Sequence, residues 1–177
     1  MCGIAGLIHR GKRSNVGAEM TSMLQSLKHR GPDSTGFAVY GSANPGDYVM
    51  RVKVAEQEDM KGGHGVNDLL ESRIAELDKR LDWHGAKVKE RKRVLPYALR
   101  YVLSHEGDTE DMAKHVEEIE GVEILSFGNG LELIKDLGDA TVVSGQYGLG
   151  SFEGTHAIGH TRMATESDVD IRSAHPY

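Results

Sequence analysis

Along this chain the apolar residues change their period several times, and each change marks a new element. Residues 2–9 (CGIAGLIH) are small and β-branched and predict a buried strand at the extreme N-terminus. After a turn rich in Gly, Lys and Asn, Met20, Met23, Leu24 and Leu27 recur at i, i+3, i+4 and i+7, which is one face of a helix. Gly31-Pro32 stops that helix, because a proline disfavours the α region at the residue before it. Phe37–Tyr40 reads as a second buried strand, and Tyr48–Val54 alternates as a third. Val66, Leu69, Leu70, Ile74, Leu77 and Leu81 form the apolar stripe of a long amphipathic helix. Ala86–Lys92 predicts a further strand, with the KVKERKR run of 87–93 as its wetted face. Residues 94–103 predict another, with Pro96 near its start. Asp108 is placed to cap a helix that carries Met112, Val116 and Ile119 on one face, and Val122–Phe127 is strand-like again. The middle of the chain thus predicts β-α-β-β-α-β, the order of a ferredoxin-like split βαβ unit, and residues 44–140 are expected to form an inserted α+β subdomain. Asn129-Gly130 reads as a tight turn after Phe127. From Gly154 the small and β-branched texture of the N-terminus returns, strand-like through Thr161.

Composition narrows the possibilities. With 177 residues, 38% hydrophobic and 27% charged, the chain suits one core or a core with one inserted layer. A net charge of −6, with no long basic run outside 87–93, argues against a nucleic-acid or anionic-membrane surface. No apolar stretch approaches a membrane span, and the N-terminus lacks a charged region followed by an apolar one. A single cysteine leaves neither an internal disulfide nor a multi-cysteine metal cage, so the reducing cytoplasm is the expected compartment. His156 and His160 stand four apart, but in a strand-like run without a glutamate, so zinc is not expected.

Candidate chemistry gathers at the two ends. Cys2 follows the initiator methionine and is small enough for Met1 to be trimmed, which would leave a thiol and a free α-amine on one residue. An α-amine titrates near pH ~8, so it can take the thiol proton and later return it to a leaving amine, with no histidine or aspartate required. Taken alone, Cys2 reads sooner as a small buried apolar residue at a strand start, and it is its companions that reverse that reading. Its companions are Cys2-Gly3-Ile4-Ala5-Gly6, then His29-Arg30-Gly31-Pro32-Asp33-Ser34-Thr35-Gly36, then Gly159-His160-Thr161-Arg162-Met163-Ala164-Thr165.

In that order, starting at residue 2, these three stretches resemble the class II, N-terminal-nucleophile glutamine amidotransferases, over about residues 2–41 and 145–177. The resemblance implies a four-layer αββα sandwich with Cys2 as nucleophile at the first residue of an inner strand. It also implies that Arg162 holds the α-carboxylate of glutamine, a task suited to a planar guanidinium fork, with Thr161 and Thr165 adding hydroxyl contacts. Gly3, Arg30, Gly31, Asp33, Ser34 and His160 are expected to shape the pocket; Gly31 and Gly36 permit turns, and His160 is expected to orient the Arg162 stretch.

The run Arg162-Met-Ala-Thr-Glu-Ser167 and the ending Ala174-His175-Pro176-Tyr177 are more similar to the amidotransferase subunits of glutamate-synthase-like and methylglutamate-synthase-like systems than to sugar-phosphate amidotransferases. That subgroup implies ammonia passed to separate synthase subunits carrying flavin and an iron–sulfur cluster, with no cofactor in this one-cysteine chain. The family's oxyanion-hole Asn-Gly pair and its amine-binding aspartate lie beyond the arginine strand; Asn129-Gly130 precedes Arg162 and is in the wrong place. The sequence is therefore expected to be the N-terminal portion of a larger amidotransferase, its sandwich incomplete at the C-terminus and its activity weak alone. Three readings stay open beside it: an amidotransferase feeding phosphoribosyl or hexosamine-phosphate chemistry, a non-catalytic partner-binding fragment, and an N-terminal-nucleophile amidohydrolase acting on another amide.

Overall fold

The computed structural model describes residues 2–41, 45–55, 59–61, 63 and 65–163. In chain order the elements are β1 (Gly3–Ile8), α1 (Val16–Ser26), β2 (Ser34–Tyr40), β3 (Asp47–Lys53), α2 (Val66–Trp83), β4 (Lys87–Leu95), β5 (Ala98–Ser104), α3 (Thr109–Glu117), β6 (Glu123–Gly128), β7 (Leu131–Leu137), α4 (Ala140–Tyr147) and β8 (His156–Arg162). The result is an α+β protein with two antiparallel sheets, and the chain divides into two units, residues 1–42 with 131–177 and residues 43–130.

In the first unit the sheet order is β1-β8-β2-β7. Strands β1, β2 and β8 carry Gly and Ala, which lets a helix lie close. A Cβ at Gly159 would stand 2.5 Å from Leu24 Cδ1 and 2.7 Å from Met20 Sδ, so glycine is what allows α1 to settle on β8. α1 starts at Asn15, whose side chain accepts from the Ala18 N–H at 3.0 Å, and it buries Val16, Met20 and Leu24 completely. α4 starts at Asp139, which accepts from the N–H groups of Thr141 (2.9 Å) and Val142 (3.1 Å), and it stops at the left-handed Gly148. Both helices cover the face that carries Gly159 and Asp136, where the buried Tyr147 hydroxyl donates to Asp136 Oδ2 at 2.6 Å. Strand alternation sends Ile4, Ile8 and Ile158 to the other face, where they are 72%, 77% and 44% exposed.

The second unit closes its own core. The connectivity is β3-α2-β4-β5-α3-β6 and the sheet order is β4-β5-β3-β6. The stripe foreseen on α2 is buried at Leu70, Ile74, Leu77 and Leu81, joined by Met112 and Val116 of α3 and by Met50, Tyr101 and Leu103 of the sheet. The Tyr101 hydroxyl donates to Asp78 Oδ1 at 2.8 Å, and burial holds its proton far more tightly than in an ordinary tyrosine. β4 is an edge strand whose residues from Lys87 to Arg93 are exposed, and such a charged edge resists pairing with another chain.

Three details differ from the sequence expectations. The strand expected over 94–103 is divided: Leu95 pairs with Ala98, and Pro96-Tyr97 form the turn of a hairpin, where the missing proline N–H costs no ladder bond. The second unit ends at Gly130 rather than at 140, because Leu131–Leu137 pairs with β2 in the first unit. β7 and α4 are elements that no period had announced. No described helix is long and apolar enough to cross a membrane.

Candidate functional site

Strand register assembles the candidate site. Gly3 pairs with Thr161 across β1 and β8, and Arg162 pairs with Ser34 across β8 and β2. Continued by one residue, the first ladder sets Cys2 beside Arg162. Cys2, Arg162 and Ser34 therefore form one row across three neighbouring strands, and alternation puts all three on the face of Ile4 and Ile158. Cys2 is a free thiol and is exposed. His160 pairs with Ile4 and belongs to the same face, one step further along β8.

Thr161 does not join that row. Its Oγ1 lies 2.9 Å from where a Cβ on Gly3 would sit, and Leu27 Cβ is 3.1 Å from the same point. Thr161 therefore faces the covered side of the sheet, and Gly3 is small because α1's exit at Leu27 needs that space. Thr165 lies outside the described residues.

The segment from Arg30 to Ser34 clamps the arginine strand from outside. A Cβ on Gly31 would stand 2.5 Å from the Arg162 carbonyl carbon, 2.7 Å from its nitrogen and 2.8 Å from its Cα, so only glycine fits. The next contacts are main-chain bonds. The Asp33 N–H donates to the Arg162 carbonyl at 3.1 Å, and the Asp33 carbonyl accepts from the Gly138 N–H at 2.9 Å. Thr35 Oγ1 then donates to the Gly138 carbonyl at 2.8 Å. Arg30 and Asp33 are half-buried. Thr35 was the residue missed by sequence reasoning; a hydroxyl directly after the Asp-Ser pair was the available signal.

The same region is held by an ion pair. Lys28 Nζ meets Asp139 Oδ2 at 2.7 Å, and this contact, followed by the Val142 N–H, lowers the Asp139 pKa below the ordinary carboxylate range. Two hydroxyl oxygens near the row, Ser34 Oγ and Thr161 Oγ1, are buried and have no hydrogen-bond partner among the described residues. Among the described residues no three His, Cys, Asp or Glu side chains gather in a way that could hold a metal ion.

With this geometry in place the chain can be compared with known proteins. No family model matches it. It is 36% identical over 180 aligned residues to a protein of Methanothermobacter thermautotrophicus provisionally named a glutamine amidotransferase, covering 100% of this chain and 56% of that protein. It is 30% identical to the glutamine amidotransferase-like protein GlxB of Rhizobium meliloti, covering 100% of this chain and 54% of GlxB. A shorter match, 35% identical over 46% of this chain and 16% of the relative, is to a protein of Methanocaldococcus jannaschii provisionally named a glutamine-hydrolysing asparagine synthetase. Over its whole length, then, the chain is a homologue of proteins named for glutamine amidotransfer. It spans about half the length of those two relatives.

Proposed function

We propose that this chain carries the glutamine-hydrolysing chemistry of a class II amidotransferase, with Cys2, once Met1 is removed, as its N-terminal nucleophile. The observation that carries the reading is the cross-strand row, which brings an exposed thiol at the chain start alongside an arginine 160 positions later. The Cys2 α-amine takes the thiol proton, the thiolate attacks the side-chain carbonyl of glutamine, and the C–N bond breaks with that proton returned to ammonia. Water then cleaves the γ-glutamyl thioester to glutamate and restores the thiol. Arg162 holds the substrate α-carboxylate in a two-pronged charge-assisted contact, and Thr165 is proposed to contribute a hydroxyl. The homologues named for glutamine amidotransfer support glutamine as the substrate.

The fold reading follows. A sheet with two helices on one face and exposed isoleucines on the other is what one half of an αββα sandwich presents, and the β-α-β-β-α-β unit is read as a ferredoxin-like insertion. The proposed recipients of ammonia are glutamate-synthase-like subunits carrying flavin and an iron–sulfur cluster. In the full-length protein, Cys2→Ala is expected to lower glutamine hydrolysis by more than ~10³-fold with an unchanged melting temperature. Turnover near the wild-type rate would remove Cys2 from the chemistry.

A further inference from the structure

We propose that Ser34 is a substrate-contacting residue whose hydroxyl binds the α-carboxylate of free glutamine beside Arg162. This deepens the glutamine reading above and rests on it. Ser34 is 1% exposed, and its Oγ has no hydrogen-bond partner among the described residues. A buried hydroxyl without a partner is costly. Whereas Thr161 Oγ1, which equally lacks a partner among the described residues, faces the covered side of the sheet, Ser34 lies in the row of Arg162 and Cys2 on the other face. The backbone around it is fixed from both sides, by the Asp33 N–H on the Arg162 carbonyl and by the Gly138 N–H on the Asp33 carbonyl, so Ser34 is held in place. Its neighbour Thr35 shows the contrast: that hydroxyl, on the opposite face, is satisfied by the Gly138 carbonyl.

Dimensions select the part of the substrate that meets Ser34. Neighbouring strands are about 4.8 Å apart, so Ser34 lies about 10 Å from Cys2 across the row. The four carbon–carbon bonds from side-chain carbonyl to α-carboxylate of an extended glutamine span about 5 Å. With the carbonyl carbon about 3 Å from the thiol sulfur, the carboxylate falls about 8 Å away, between the strands of Arg162 and Ser34. Arg162 takes the carboxylate as an ion pair, and Ser34 donates its one hydroxyl proton to the second lone-pair direction. The pair defines the substrate class as an amide with a free α-carboxylate, and disfavours glutamine whose α-carboxyl is tied up in a peptide bond.

The test is glutamine binding by calorimetry to the full-length protein carrying Cys2→Ala, which prevents turnover, with and without Ser34→Ala. Ser34→Ala is expected to weaken glutamine about tenfold or more, as for a hydrogen bond to a charged group, while leaving the melting temperature equal or higher. Glutaminamide, which lacks the carboxylate, is expected to bind both proteins within about twofold of each other, so the loss is specific to the carboxylate. Equal glutamine affinity in the two proteins would overturn the Ser34 assignment while leaving the amidotransferase reading intact. Absence of glutamine binding in the Cys2→Ala protein itself would overturn both. A lowered melting temperature with equal losses for glutamine and glutaminamide would make Ser34 a packing residue and overturn the assignment.

Discussion

The two units of this chain differ in where they place their apolar residues. The inserted unit, residues 43–130, packs the long amphipathic helix α2 and the shorter α3 on a core of Leu, Ile, Met and Tyr with Leu70, Leu77, Leu81 and Met112 fully buried; its edge strand β4 is charged and exposed, and its inner strand β3 also buries Asp47, Arg51 and Lys53. The flanking unit is built from short strands and glycines, leaves Ile4 and Ile8 largely in solvent, and buries polar groups such as Ser34, Thr161 and Asp136. A segment selected only for stability has no use for an orphaned hydroxyl or an exposed isoleucine row. The contrast teaches where to look for chemistry: on the open face of the flanking sheet, where Ser34, whose hydroxyl has no partner among the described residues, shares a row with Cys2 and Arg162.

The largest expected effect lies in the well-packed unit. Leu77→Ala removes a fully buried side chain from the α2 stripe and is expected to cost about 2–5 kcal/mol, with hydrogen-exchange protection lost first in α2 and β5. A loss below about 1 kcal/mol would mean that this core is not the tight structure described. Next comes Gly31→Ala in the flanking unit. Its methyl would press on the Arg162 backbone from 2.5–2.8 Å, and the expected cost is about 1–3 kcal/mol in stability together with weaker glutamine binding. Unchanged binding would show that the Gly31 contact does not control Arg162.

A smaller effect belongs to the Asp139 cap. Asp139→Ala is expected to cost about 1 kcal/mol near neutral pH, through lost capping of α4. The folded pKa of Asp139 is depressed, chiefly by Lys28, so its contribution is present above the ordinary aspartate value of 3.8 and is lost as pH falls through the lower folded value. Wild type and variant melting temperatures should therefore converge as the pH is taken below 3.8 and through the lower folded value. A gap that widened on acidification would contradict the assigned sign.

How much of this was legible in the sequence differs between the same two regions. Helical period exposed α1, α2 and α3, because each is amphipathic and long enough to show it. It did not expose α4, whose ATVVSGQY run has no one-sided stripe and is defined by its ends, Asp139 and Gly148. β7 was hidden for a related reason: LELIKDL buries Glu132, Lys135 and Asp136, so polarity misreports its position. The Asn129-Gly130 pair suggests a hairpin, yet β6 and β7 enter different sheets, which no local signal encodes. At the candidate site, residue types were readable and partnership was not. Cys2 and Arg162 could be chosen from motif, whereas the row through Ser34 and the turning away of Thr161 depend on register, a property of three strands distant in sequence.

The central claim is that the exposed end of β1 is a working nucleophile. It is tested most directly by treating the full-length protein with the glutamine-mimicking electrophile 6-diazo-5-oxo-norleucine, then reading intact mass and mapping the modified peptide. The account predicts Cys as the first residue of the mature chain and a single adduct on it, suppressed by excess glutamine. Retention of Met1 with no adduct at Cys2 would contradict it.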